Sequence, residues 1–379
     1  MKNYLLILFA SLISISANAH WITDESSLRE VSAGDYLGGG ADSRGAQYVI
    51  PNEIHPEEAK NIWSKAPTGV YISVGTERGF IGAAMAQNAS HLLLLDLVPE
   101  IVFFNRLNTV LLKVSDSLSE YKELRQTGDA QLWIKKSASN VLNKEDRELM
   151  QSREFFEKFH ALQKENSRRL LDPALFVGSS YMKSEALFTR LQQMARANRI
   201  WVAQGNLMDE EFLKSTSQRI QNERLQISCL DLSNAWDYHY TGATGVQKIT
   251  QAYEKVMSLD SVLLVTNVRK MISNTMYLWN YHGFTYRSLS KIQQTIDSDS
   301  ALYTLVRSKK LLPEGELYDP QDLKKVFVKE VQFMNFFSEN PKLGNFFLRR
   351  LRQINKCLGI SCSVMHSGDF GANRCEKVF

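Results

Sequence analysis

Five short apolar runs, separated by helix-forming stretches, set the strongest limit on what this chain folds into. They are Gly69-Val-Tyr-Ile-Ser-Val74, His91-Leu-Leu-Leu-Leu95, Arg199-Ile-Trp-Val-Ala-Gln204, Gln226-Ile-Ser-Cys-Leu230 and Ser261-Val-Leu-Leu-Val-Thr266. These are near-continuous apolar runs, so each reads as a strand buried on both faces. Helical periodicity fills the gaps at Phe80–Gln87, Pro99–Leu112, Ser184–Arg196, Met208–Asn222 and Gly245–Leu259. Pro99 suits a first helical position, and Ala83, Ala84 and Ala86 allow close approach to a sheet. Strand–helix alternation of this kind predicts an α/β fold, Rossmann-like and doubly wound. The sheet is mostly parallel, with right-handed crossovers.

Additions flank that core, which spans about residues 69–290. Residues 115–183 are charged and helix-forming, with Trp133, Phe155, Phe156 and Phe159 at scattered positions, and read as a helical insertion. Tyr277–Arg287 is aromatic-rich and adds edge strands. Helices are expected over Asp322–Ser338 and Lys342–Lys356 within a C-terminal extension, 291–379. Before the core, Ala33–Gly45 is rich in Gly, Ser and Asp, a surface-loop composition, and Pro56–Lys65 forms a short helix within a leader, 20–68.

At the chain's start, Lys2 precedes an apolar run from Tyr4 to Ile15, followed by Ala17-Asn18-Ala19. That run is shorter than the roughly 20 residues a bilayer-spanning helix needs, and a small-x-small pattern follows it. Residues 1–19 therefore read as a cleaved signal peptide, which implies export to the periplasm or beyond. No later run is long enough to span a membrane. In an oxidising compartment two of Cys357, Cys362 and Cys375 would pair; a zinc site using these and His366 is the alternative. Cys229 reads as a buried thiol. His20, His239 and His282 lack further ligands at metal spacing, so no metal is expected. With 45 basic against 41 acidic side chains, net charge +4, nothing points to nucleic acid. Phe346-Phe-Leu-Arg-Arg-Leu-Arg352 gives the 342–356 helix a basic and an apolar side. It either packs on the domain or touches a membrane surface or partner.

Ligands of an open parallel sheet bind beyond the C-terminal strand ends, where strand order reverses. Those ends carry Gly75-Thr-Glu-Arg-Gly79, Asp96, Gln204-Gly-Asn206 and Asp231-Leu-Ser-Asn-Ala-Trp-Asp237. Glycines after a first strand let backbone approach a ligand, although any tight strand-to-helix turn wants them. An acid after the second strand accepts hydrogen bonds from ribose hydroxyls, or favours the following helix dipole. Val177-Gly-Ser-Ser180 lacks the second glycine of a nucleophile elbow, so Ser180 or Ser184 reads as a helix cap.

On these strand ends, over about residues 69–290, the chain resembles class I S-adenosylmethionine-dependent methyltransferases, specifically an exported bacterial branch of methyltransferase-like proteins. The resemblance implies S-adenosylmethionine as cofactor. Gly75 and Gly79 match the outer glycines of the cofactor loop, Asp96 the ribose-binding acid, and Asn206 the position of an adenine-contacting Asp. Glu77 and Asp231 complete the cofactor-side set, and Asn234, Trp236, Asp237 and Tyr238 fall at the acceptor pocket. Two positions depart from the pattern: Ser73 stands for an acid, and Glu77 replaces the middle glycine, adding bulk and charge beside the ligand. Catalytic residues do not carry over, because methyl transfer relies on positioning. Two functions follow. One is an exported methyltransferase acting on a small molecule or protein. The other is a non-catalytic secreted or envelope binding protein that keeps the scaffold, since S-adenosylmethionine is made in the cytosol.

Overall fold

In the computed structural model, residues 53–236, 241, 244–273, 276–293, 306 and 316–318 are described. The segment expected to be a signal peptide, the Gly-rich leader, Asp237, Tyr238, His239, the helices expected at 322–338 and 342–356, and Cys357, Cys362 and Cys375 lie outside them. The chain divides into two compact units, 1–319 and 320–379, and every described residue belongs to the first.

The sheet's eight strands are β1 (Glu53–Ile54), β2 (Gly69–Val74), β3 (Ala89–Asp96), β4 (Ile200–Gln204), β5 (Ile227–Ser233), β6 (Met257–Ser273), β7 (Met276–Thr285) and β8 (Glu316–Tyr318). Their order is β1-β7-β6-β5-β2-β3-β4, with β8 also on β7. Among the described residues only the β6–β7 pairing is antiparallel. From β2 the chain steps outward through β3 to β4, then returns to β5 on β2's other side. Strand order therefore reverses between β2 and β5, and the fold is Rossmann-like α/β.

The apolar runs are central strands, as continuous burial requires: Val70, Tyr71, Ile72, Leu92, Leu94, Cys229, Leu230, Val262, Leu263 and Leu264 are all fully buried. Side chains alternate between faces. Tyr71, Leu92, Leu94, Cys229, Val262 and Leu264 join one core with α1 (Lys60–Trp63), α2 (Glu77–Met85), α3 (Pro99–Val114) and α8 (Glu185–Arg196). Right-handed crossovers put α9 (Glu210–Asn222) and α10 (Gly245–Ala252) on the opposite face, because their connections run the other way across the sheet. Burial of Leu213, Ile220, Val246 and Ile249 supplies the second core.

Two expectations need correcting. The Tyr277–Arg287 segment is not an edge: β7 lies between β6 and β1, and α11 (Tyr286–Gln293) follows it. The helix expected over Gly245–Leu259 ends at Ala252, because Met257 already begins β6, a 17-residue strand much longer than Ser261–Thr266. Its extra length pairs with β7 beyond the end of β5.

The residues between α3 and α8 hold four helices, α4 (Leu118–Gln126), α5 (Ala130–Ser137), α6 (Lys144–Gln151) and α7 (Arg153–Leu171). Side-chain oxygens of Ser117, Asp129, Asn143 and Ser152 cap their first turns. The scattered aromatics converge. Trp133 stands edge-on to Phe156 at 4.8 Å between ring centres and donates its indole N–H to the Leu124 carbonyl. Arg106 and Lys113 of α3 both reach Asp146 of α6, at 3.3 and 3.1 Å. The insertion is thereby tied to the Rossmann core through buried charge.

Candidate functional site

The turn after β2 is built on glycine for two separate reasons. Gly75 has φ +91°, a conformation that L side chains rarely adopt, and a Cβ there would meet nothing within 4 Å. The backbone thus faces open space. Gly79 is needed for the opposite reason: a Cβ would overlap a Leu94 methyl and come within 3.0 Å of the Ser73 Cβ. Gly79 therefore serves helix-to-sheet packing.

Around Gly75 three strand ends meet. The Gly75 amide donates to the Leu95 carbonyl at 3.3 Å, and the Gly205 amide to the Asp96 carbonyl at 2.9 Å. Asp96 is partly exposed, and one carboxylate oxygen accepts from the Val98 amide at 2.9 Å. Burial pushes its pKa up to about 6, against the backbone amides of Val98, Leu97 and Gly75, which favour the charged form. Gly75, Asp96 and the Gly205-Asn206 turn therefore lie side by side at adjacent strand ends. Asn206 is exposed, but its side-chain oxygen is engaged by the Met208 amide at 2.8 Å, closing its own turn before α9.

Glu77 departs from the expectation that it crowds the ligand. Its side chain is fully buried and turned into the insertion, where Arg125 contacts one oxygen at 2.5 Å and the Tyr181 hydroxyl donates to the other. Its charge is neutralised and its bulk removed from the crevice.

Asp231 also lies inward. It is fully buried on β5, level with Ser73 on β2, and accepts from the Tyr71 hydroxyl at 2.6 Å, from the Arg78 Nε at 2.9 Å and from the Ser233 amide at 3.0 Å. Arg78 bridges on to Glu53 of β1, which accepts from the Ser233 hydroxyl. Trp63 donates to the Tyr71 oxygen at 2.9 Å. Burial and the neighbouring Asp231 charge hold the Tyr71 hydroxyl pKa well above its ordinary value. This network fixes Ser233 in the left-handed region (φ +51°) at the end of β5, a strained conformation for a non-glycine residue. Asp231 is thus an internal anchor and does not face a ligand directly. Among the acceptor-side residues, Asn234 is partly exposed beside Ser233, whereas Trp236 is buried and donates to the Thr266 carbonyl at 2.7 Å, packing its loop.

Sequence reasoning missed Asn105. This fully buried α3 residue donates from Nδ2 to the Gly75 carbonyl at 2.7 Å, while its Oδ1 has no hydrogen-bond partner among the described residues. An unpaired buried acceptor is costly, so the hold that Asn105 keeps on the Gly75 carbonyl comes at the expense of its other polar atom. Glu53, Arg78, Arg125 and Tyr181 were also missed. Only Arg78 left a trace, as a cation inside an otherwise small strand-to-helix turn. Among the described residues no group of three metal-ligating side chains occurs, no helix is long and apolar enough to cross a membrane, and Cys229 is a buried free thiol.

The model of a family described as a domain of unknown function, DUF7790, matches residues 48–314. No curated protein matches the chain. Among solved structures, the rRNA methyltransferase aviRa from Streptomyces viridochromogenes is similar at 13% identity and a TM-score of 0.32, covering 64% of this chain and 88% of that one.

Proposed function

The chain belongs to the DUF7790 family, and for this member we propose that the crevice at Gly75, Asp96 and Gly205 binds S-adenosylmethionine and that the protein is a methyltransferase. One observation carries this reading: a partly exposed carboxylate ends β3 beside a Gly75 whose backbone faces open space, next to the strand-order reversal.

The residues suit the cofactor's chemistry. Asp96 would accept from the two ribose hydroxyls, and Gly75 would let the chain pass close to the amino-acid end. S-adenosylmethionine supplies an electrophilic methyl group on sulfonium. The protein's part is to hold donor and acceptor in line and to exclude water. Ser233 and Asn234, at the end of β5, lie on the acceptor side; the acceptor is a small molecule or a protein. Export rests on Lys2, the Tyr4–Ile15 apolar run and Ala17-Asn18-Ala19. An exported member would meet S-adenosylmethionine only after delivery into a cytosol.

Isothermal titration of the full chain with S-adenosylmethionine tests the reading. Wild-type protein is expected to bind, and Asp96→Ala to weaken binding by about tenfold or more, as loss of a charged hydrogen-bond acceptor implies. Absence of heat at millimolar cofactor, with folded protein confirmed by circular dichroism, would leave the non-catalytic binding function in its place.

A further inference from the structure

The insertion reaches the crevice through a fully buried polar network that no part of the binding scheme yet uses. Glu77, the first residue of α2, follows Gly75 by two positions. Both of its oxygens are held by the insertion: Arg125 of α4 contacts one and Tyr181 the other. Arg125 also donates to the Tyr181 oxygen at 2.7 Å and to the Tyr121 oxygen at 3.2 Å. Tyr121 donates to Asn108 Oδ1 at 2.5 Å, and Asn108 Nδ2 donates to Tyr181 at 3.1 Å. Asn105, one helical turn before Asn108 on α3, holds the Gly75 carbonyl.

The turn is therefore gripped at both ends, at Gly75 by α3 and at Glu77 by Arg125 and Tyr181. Burial alone would lower the Arg125 guanidinium pKa, but the Glu77 carboxylate and the two tyrosines raise it well above its ordinary value. The cation stays charged. A carboxylate this deeply buried keeps its geometry only while its partners remain.

We infer that Arg125 and Tyr181 are positioning residues that act through Glu77 to hold the Gly75–Gly79 turn in its ligand-ready form. The helical insertion thus serves as the support of the cofactor turn. This assignment rests on the reading that the turn binds S-adenosylmethionine, but its mechanical part is testable without any ligand. In that part, the clamp limits local opening of the turn.

Tyr181→Phe and Tyr121→Phe form the test pair. Each removes one buried hydroxyl from the same network, yet only Tyr181 touches Glu77. Hydrogen exchange of ligand-free full-length protein, read over the peptide containing residues 75–79, is expected to quicken by about tenfold or more in Tyr181→Phe, with protection of β3 and β5 unchanged. Tyr121→Phe should stay within about twofold of wild type at the turn. The same split is expected in the Kd for S-adenosylmethionine. Equal exchange at the turn in both variants, or quickening spread over the whole sheet, would overturn the assignment. Should wild-type protein bind no S-adenosylmethionine, the cofactor reading fails, while the exchange comparison still judges the clamp. If Tyr181→Phe does not fold, the wild-type protein decides: its 75–79 peptide is expected to exchange at least about tenfold more slowly than the loop at 127–129, and equal exchange of the two would overturn the assignment.

Discussion

Replacing Asp96 with Asn should make the protein more stable at neutral pH while weakening its crevice. Burial raises this carboxyl from 3.8 to about 6 in the folded chain. Below about pH 4 both folded and unfolded chains hold the proton, and the residue contributes nothing to pH dependence. Between about pH 4 and 6 the unfolded chain ionises first, so stability falls as pH rises. Above the folded value both are charged, and the fold carries the full penalty. At about 1.4 kcal/mol for each tenfold change, that penalty is at most about 3 kcal/mol. Two structural facts reduce it. The side chain keeps some contact with water, and an Asn amide would turn an N–H toward the Gly75 amide that now helps the charge. The expected gain for Asp96→Asn is therefore about 1–2 kcal/mol at about pH 7.5, shrinking to zero or reversing near pH 4. Urea unfolding of both proteins at the two pH values measures it directly. A gap of the same size at both values, or a variant less stable than wild type at pH 7.5, would refute the argument that Asp96 is held ionised against its surroundings.

Two further changes probe the packing beneath the crevice. Gly79→Ala should cost about 1–3 kcal/mol, because the new methyl must displace Leu94 or push α2 off β2; thermal unfolding reports it, and an unchanged midpoint would contradict the close approach. Tyr71→Phe strips the acceptor from Trp63 and a donor from Asp231, both buried, and is expected to cost about 3 kcal/mol in urea unfolding. A loss below about 0.5 kcal/mol would mean that the two partners find substitutes.

The parallel core was legible because a strand buried on both faces has to be apolar at consecutive positions, as Leu92 to Leu95 are. Strand order followed less directly. Nothing in Glu53-Ile54 marks a two-residue strand, since its partner on β7 lies more than 200 residues away. The strand-end turns were half legible. Gly75 and Asp96 announce themselves because their roles are local: one needs an unusual φ, the other ends a strand. Glu77 misled, because the direction of a charged side chain is decided by its counter-ion, and Arg125 and Tyr181 sit 48 and 104 residues further on. Asp231 misled for the same reason: its partner Arg78 lies 153 residues before it. Buried ion pairs between distant segments carry no periodicity, so their members look like surface or ligand-facing charges until the chain is folded.

Glu53 links β1 to the centre of the sheet, for its carboxylate steadies both Arg78 and Ser233. Shortened forms that begin after residue 55 would strip this prop and leave a guanidinium shared with Asp231 alone. A shortened form that keeps this prop therefore has to include the stretch ahead of the first long strand, even though that stretch contributes only two residues to the sheet.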